Sequence, residues 1–142
     1  MKKALLLLPI TLLFYACPPL PQHIYEKVEY KAITRGSSES IVIEIGNKIR
    51  ADLLYSKNSS EKEKRTLSKK KSLELFDILR YIDLSQIDQL EVPSKKHQYD
   101  GALVTTIEIT TKGGTYRSVT FDHDNPPKEL KPLNDYLLSL AQ

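Results

Sequence analysis

The chain has 142 residues, with 21 Lys+Arg against 18 Asp+Glu, a formal net charge of +3, one cysteine and no tryptophan. A single cysteine excludes an intramolecular disulfide framework. Setting the leader aside removes Lys2 and Lys3, leaving 19 basic against 18 acidic residues and a net of +1, without the electrostatic footprint of a nucleic-acid partner.

The first residues, MKKALLLLPITLLFYAC, combine a basic start with an apolar run over Ala4 to Tyr15, broken only by Pro9 and Thr11. A run this short falls below the roughly 20 helical residues that a hydrocarbon core requires, so residues 1–16 read as a signal peptide. Its end, Phe14-Tyr15-Ala16-Cys17, resembles the bacterial lipoprotein signal, with Phe14 and Tyr15 at positions where that pattern prefers leucine and a small residue. The resemblance implies that Cys17 is lipidated, becomes the mature N-terminus and makes the membrane a partner. No acidic residue follows Cys17 directly, which by resemblance to lipoprotein sorting implies the outer membrane of the cell envelope, facing the periplasm. Residues 17–23 form a proline-rich spacer reaching about 20 Å at ~3.1 Å per residue, and 24–142 form one domain.

Within that domain Ile24, Val28, Tyr30 and Ala32 fall on one side of a first strand, and Arg35 to Glu39 carry turn chemistry. Ile41, Ile43 and Ile45 alternate, then Ile49, Ala51 and Leu53. An odd loop at 46–48 keeps both apolar sets on one face by pairing Ile45 with Ile49 and Ile43 with Ala51. Residues 57–71 hold seven basic and two acidic side chains and read as a flexible loop running into an exposed helix start. The alternative is a patch for anionic headgroups or an acidic partner, with Lys69, Lys70, Lys71 and Arg35 as candidates. Leu75, Phe76, Leu79 and Ile82 predict a helix to Tyr81 or Ile82 with Ser68 as N-cap.

A second hairpin follows, in which a loop at 112–114 pairs Ile107 with Val119 and Thr105 with Phe121 and puts Gly114 in a left-handed conformation. Leu130, Leu133, Leu137 and Leu140 predict a last helix from about Pro132. The order is β-β-β-α-β-β-α, an α+β fold in which about five antiparallel strands carry both helices on one face.

FDHDNPPKELKPL, Phe121 to Leu133, concentrates the groups that carry chemistry. Asp122, His123 and Asp124 are metal-ligand types, but extended backbone sends alternate side chains to opposite faces. Asp122 and Asp124 then share a side without His123, and two carboxylates make a poor transition-metal site. An EF-hand lacks its glycine and its closing glutamate here. The expectation is a corner in which Asp124 or Asn125 caps the next turn and Pro126 sets its first dihedral. A metal or catalytic site would need to recruit His97 and Asp100. Ser37-Ser38 and Ser59-Ser60 have no histidine nearby in sequence, and Gly113-Gly114 lacks the length and lysine of a phosphate-binding loop. No cofactor, metal or catalytic activity is expected, leaving a non-enzymatic binding module with an envelope protein as partner.

The stretch YDGALVTTIEITTKGGTYRSVTFDHDNPPKELKPLNDYLLSL resembles the C-terminal half of small lipoproteins of the Bacteroidetes type, a family whose name carries no activity. More distantly, Arg35-Gly36-Ser37-Ser38, the aspartate Asp100 before the hairpin, and Leu130-Lys131-Pro132-Leu133 are similar in layout to emfourin-like inhibitors of thermolysin-type metalloproteases. The turn lacks that family's double glycine. This resemblance implies inhibition of a metallopeptidase as the alternative function.

Overall fold

The computed structural model describes residues 24–47, 49–99 and 102–142. Strands β1 (Tyr25–Thr34), β2 (Ser37–Ile45), β3 (Ala51–Lys57) and β4 (Glu63–Thr66) precede helix α1 (Lys69–Leu79). A short 3-10 helix at Lys96–Tyr99 leads to β5 (Val104–Thr111), β6 (Gly114–Arg117) and β7 (Phe121–Asp122), and then to helix α2 (Lys131–Leu140). The strands form one antiparallel sheet in the order β4-β3-β2-β1-β5-β6, with β7 also paired to β5.

Alternation decides which face is buried. Val28, Tyr30, Ala32, Ile41, Ile43, Leu53, Ile107 and Ile109 point to one side of the sheet and are closed off from solvent. They meet Leu75, Phe76 and Leu79 of α1 and Leu133 and Leu137 of α2 in a single core. Full burial of such a side chain is worth roughly 1.5–3 kcal/mol, so the sum holds both helices on this face. The opposite face is polar, with Glu29 held between Lys27 at 3.1 Å and Lys31 at 2.8 Å.

The sheet has seven strands, not the expected five. Residues Glu63–Thr66, expected within a flexible loop, form the edge strand β4. All four of its residues are exposed, so no apolar alternation marks it. Main-chain pairing to β3 holds it, together with Asp52, which accepts from Thr66 Oγ1 at 2.7 Å and lies 3.4 Å from Lys64 Nζ. A lysine-bearing edge also discourages pairing with other chains.

Three registers differ from expectation. The β2–β3 connection runs over 46–50 and pairs Ile45 with Ala51 and Ile43 with Leu53. It stays odd in length, so the buried face is unchanged. The longer loop closes through Gly46 N–H donating to Arg50 O at 2.8 Å, with Ile49 at φ 63°. At the start of β1 a register shift between Tyr25 and Lys27 turns Tyr25 inward. Ile24, expected inside, is 48% exposed.

In the β5–β6 hairpin Thr111 pairs with Gly114, giving a two-residue loop and setting Tyr116 opposite Ile109. The ladder then breaks. Ser118 N–H donates to Ile107 O at 2.8 Å, Ser118 Oγ accepts from Ile107 N–H at 2.9 Å, and pairing resumes with Thr105 opposite Phe121, as expected. Gly114 has φ 146°, a conformation that side chains rarely adopt.

Both helix starts follow local chemistry. Ser68 caps α1, its hydroxyl accepting from Lys71 N–H at 3.3 Å. Helix α1 ends at Leu79, and Tyr81 and Ile82 continue it only as i→i+3 turns. Helix α2 begins at Lys131, with Pro132 in its first turn, where a missing N–H costs nothing. Arg65 of β4 donates to Leu140 O and so places a cation at the negative end of α2.

Candidate functional site

The FDHDN corner is built around Asp122. As the last residue of β7 it pairs with Val104 and has no exposed side-chain surface. Its carboxylate accepts from Ser94 Oγ, from Lys96 N–H at 2.9 Å and from His97 N–H at 2.8 Å, and lies 2.5 Å from His97 Nδ1. Asn125 Nδ2 donates to Ser94 Oγ at 3.0 Å. Burial alone would raise the Asp122 pKa. The converging hydrogen bonds from Ser94, His97 and Lys96 outweigh it and hold the carboxyl well below the usual carboxylate range.

Two expectations for this corner are corrected. Asp122 and Asp124 do not share a side, because the chain turns at His123-Asp124 and Asn125 N–H donates back to Asp122 O at 2.8 Å. The strand alternation that would align them therefore stops at Asp122. Asp124 is 51% exposed and 4.0 Å from Lys96 Nζ. The next turn closes through Leu130 N–H donating to Pro127 O at 3.0 Å, and among the described residues neither the Asp124 nor the Asn125 side chain accepts a hydrogen bond from it. The capping carboxylate is Asp122, and it caps the 3-10 helix at Lys96–Tyr99 through two N–H groups.

Of the possible ligands the structure thus brings His97 to Asp122 and leaves Asp124 apart. His123 Nδ1 is buried without a hydrogen-bond partner, and Asp100 lies outside the described residues. Among the described residues no group of three or more His, Cys, Asp or Glu side chains converges. Ser94, His97 and Asp122 are the residue types of a hydrolytic triad, but their wiring differs. In a triad the serine hydroxyl gives its proton to the imidazole. Here the hydroxyl and the imidazole both bond the carboxylate. The cluster clamps the 94–99 loop to the sheet.

The basic candidates do not form one patch. Arg35 sits in the turn beside the Thr34–Ser37 pair. Lys69 follows Leu67, whose N–H donates to Ala51 O opposite Ile45. Ser37 and Ile45 are opposite ends of β2, about 27 Å apart at ~3.4 Å per residue. Lys69 and Lys70 are exposed, while Lys71 Nζ lies 5.7 Å from the centre of the Tyr136 ring.

At the Lys69–Lys70 end begins a groove of about 970 Å³ that runs along the flank of α1. Leu73, Ile78, Tyr81, Ile82 and Pro132 give it an apolar floor, and Glu74, Asp77 and Glu129 lie along it. Tyr81 is 83% exposed. Leu73 and Ile78 fall outside the Leu75-Phe76-Leu79-Ile82 stripe, and this second apolar strip is the sequence signal for the groove.

The signal segment 1–16, Cys17 and the spacer to His23 lie outside the described residues. Among the described residues no helix is long and apolar enough to cross a membrane. No protein-family model matches the chain, and no curated protein matches it.

Proposed function

We propose that the chain is an exported, lipid-anchored and non-enzymatic module of the bacterial cell envelope, held through Cys17 at the outer membrane and facing the periplasm, that binds a protein along α1. The groove floored by Leu73, Ile78 and Tyr81 carries the binding reading. An exposed tyrosine above aliphatic side chains is the composition of a protein-binding hot spot. The lipoprotein-like MKKALLLLPITLLFYAC segment supports the tether.

Fractionation of cells expressing the full chain tests the tether: wild type is expected in membranes and Cys17→Ser in the soluble fraction. A folded Cys17→Ser chain that still partitions with membranes refutes it. Pull-downs from detergent-solubilised envelopes test the groove. A partner held by wild type and lost on Ile78→Asp supports it, and equal retention by both chains refutes it. The emfourin-like alternative is favoured by the tight, exposed Arg35-Gly36 turn at the other end of the sheet. It predicts inhibition of a thermolysin-type peptidase that Arg35→Ala abolishes.

A further inference from the structure

The charges on α1 oppose its own dipole. Lys69, Lys70 and Lys71 fill its first turn with no acidic residue, and Asp77 stands in its last turn with no basic one. Each lies at the helix end of like sign, an arrangement that is unfavourable for an isolated helix. Arg80 Nη1 approaches Asp77 at 3.5 Å, yet the Asp77 side chain stays 62% exposed. Among the described residues Lys69 and Lys70 make no ion pair. Three lysines with no acidic answer at the start of a half-buried helix break a local rule and mark a surface shaped for something outside the domain.

Resting on the reading of this groove as a docking surface, we propose that its occupant is a second copy of the chain, its α1 antiparallel to the first about a two-fold axis near Leu73. The complementarity is one of charge. Reversing the helix brings Lys69 and Lys70 of one copy over Asp77 of the other, and the symmetry repeats the pairing at the far end. At an interaxial distance of about 8–10 Å a lysine side chain spans the gap. The two helix dipoles also run head to tail, so the positive N-terminal end of each meets a negative C-terminal end. Between the charged ends Leu73 faces its own symmetry mate, and Ile78 of each copy, just beyond Asp77, lies over the Ser68 end of the other helix.

Charge reversal tests this in the full chain carrying Cys17→Ser, followed by sedimentation across a concentration series. Wild type is expected to self-associate. Lys70→Glu is expected to weaken association on the order of tenfold, because the change acts at two symmetry-related places. The double variant Lys70→Glu/Asp77→Lys is expected to recover it to within about threefold. A circular dichroism spectrum unchanged from wild type for Lys70→Glu verifies that the fold is intact. In envelopes, oxidation of the chain carrying Leu73→Cys is expected to give a band of twice the monomer mass, and Thr115→Cys on the opposite face none. A chain monomeric at every concentration, or a double variant no better than the single, overturns the pairing. So does binding to phosphatidylglycerol vesicles that falls with Lys70→Glu while the oligomeric state stays fixed. A monomer that still loses its envelope partner on Ile78→Asp overturns self-pairing and leaves the docking surface standing.

Discussion

Replacing Asp122 by asparagine keeps its shape and removes its charge. Each carboxylate oxygen serves two donors: Oδ2 takes Ser94 Oγ and Lys96 N–H, and Oδ1 takes His97 N–H and faces His97 Nδ1. Exchanging either oxygen for an amide NH2 sets donor against donor. Ser94 can rotate its hydroxyl away, but a backbone N–H cannot turn. One orphaned donor and the loss of charge assistance together cost roughly 2–4 kcal/mol, a large share of the about 5–15 kcal/mol that holds a domain folded. Urea unfolding at pH 7 should show this gap. The gap should also depend on pH with a definite sign. The folded pKa of Asp122 lies below its unfolded value, so the unfolded chain takes up the proton first as pH falls. The stabilisation is full above about pH 4 and is lost progressively below it. Asp52 and Glu29, also lowered, add the same slope to both proteins, so the difference isolates Asp122. The gap between wild type and Asp122→Asn should narrow steadily as pH falls below about 4. Equal stabilities at pH 7, or a gap unchanged on acidification, would refute the clamp.

Two further perturbations test the fold around the site. Gly114→Ala meets open space, since nothing lies within 4 Å of an added Cβ, yet it must adopt φ 146°; chemical denaturation should show a loss of about 1–3 kcal/mol from backbone strain alone, and no loss would mean that the hairpin relaxes. Phe76→Ala opens a void where α1 meets the sheet, at a residue with no solvent exposure; the expected loss is about 3–5 kcal/mol, read as a lower urea midpoint with an unchanged slope.

The sequence carries the elements whose residues must bury one face, and it carries them through period and punctuation. Alternating Ile41, Ile43 and Leu53 mark a sheet face, the Leu75-Phe76-Leu79 stripe marks a helix, and Ser68 marks where that helix starts. The odd length of the β2–β3 loop could be inferred because burial allows only one parity, but its length could not, since five residues satisfy parity as well as three do. Strand β4 has no such mark. Its four residues are exposed on both sides, and only the free edge of β3 makes Glu63–Thr66 a strand.

The candidate sites divide in the same way. The sequence alone determined that Asp122, His123 and Asp124 sit at a strand-to-helix joint, and it named His97 as a residue to be recruited. Tertiary structure decided that Asp122 turns inward to meet His97 across 25 positions of sequence while Asp124 turns out. It also decided that Arg35 and the lysines lie at opposite ends of the sheet. Burial against one face repeats with the period of the backbone and so is written locally. A hydrogen bond between distant polar groups, or a charge layout that opposes its own helix, has no period, and it acquires meaning only when the chain closes on itself or on another copy.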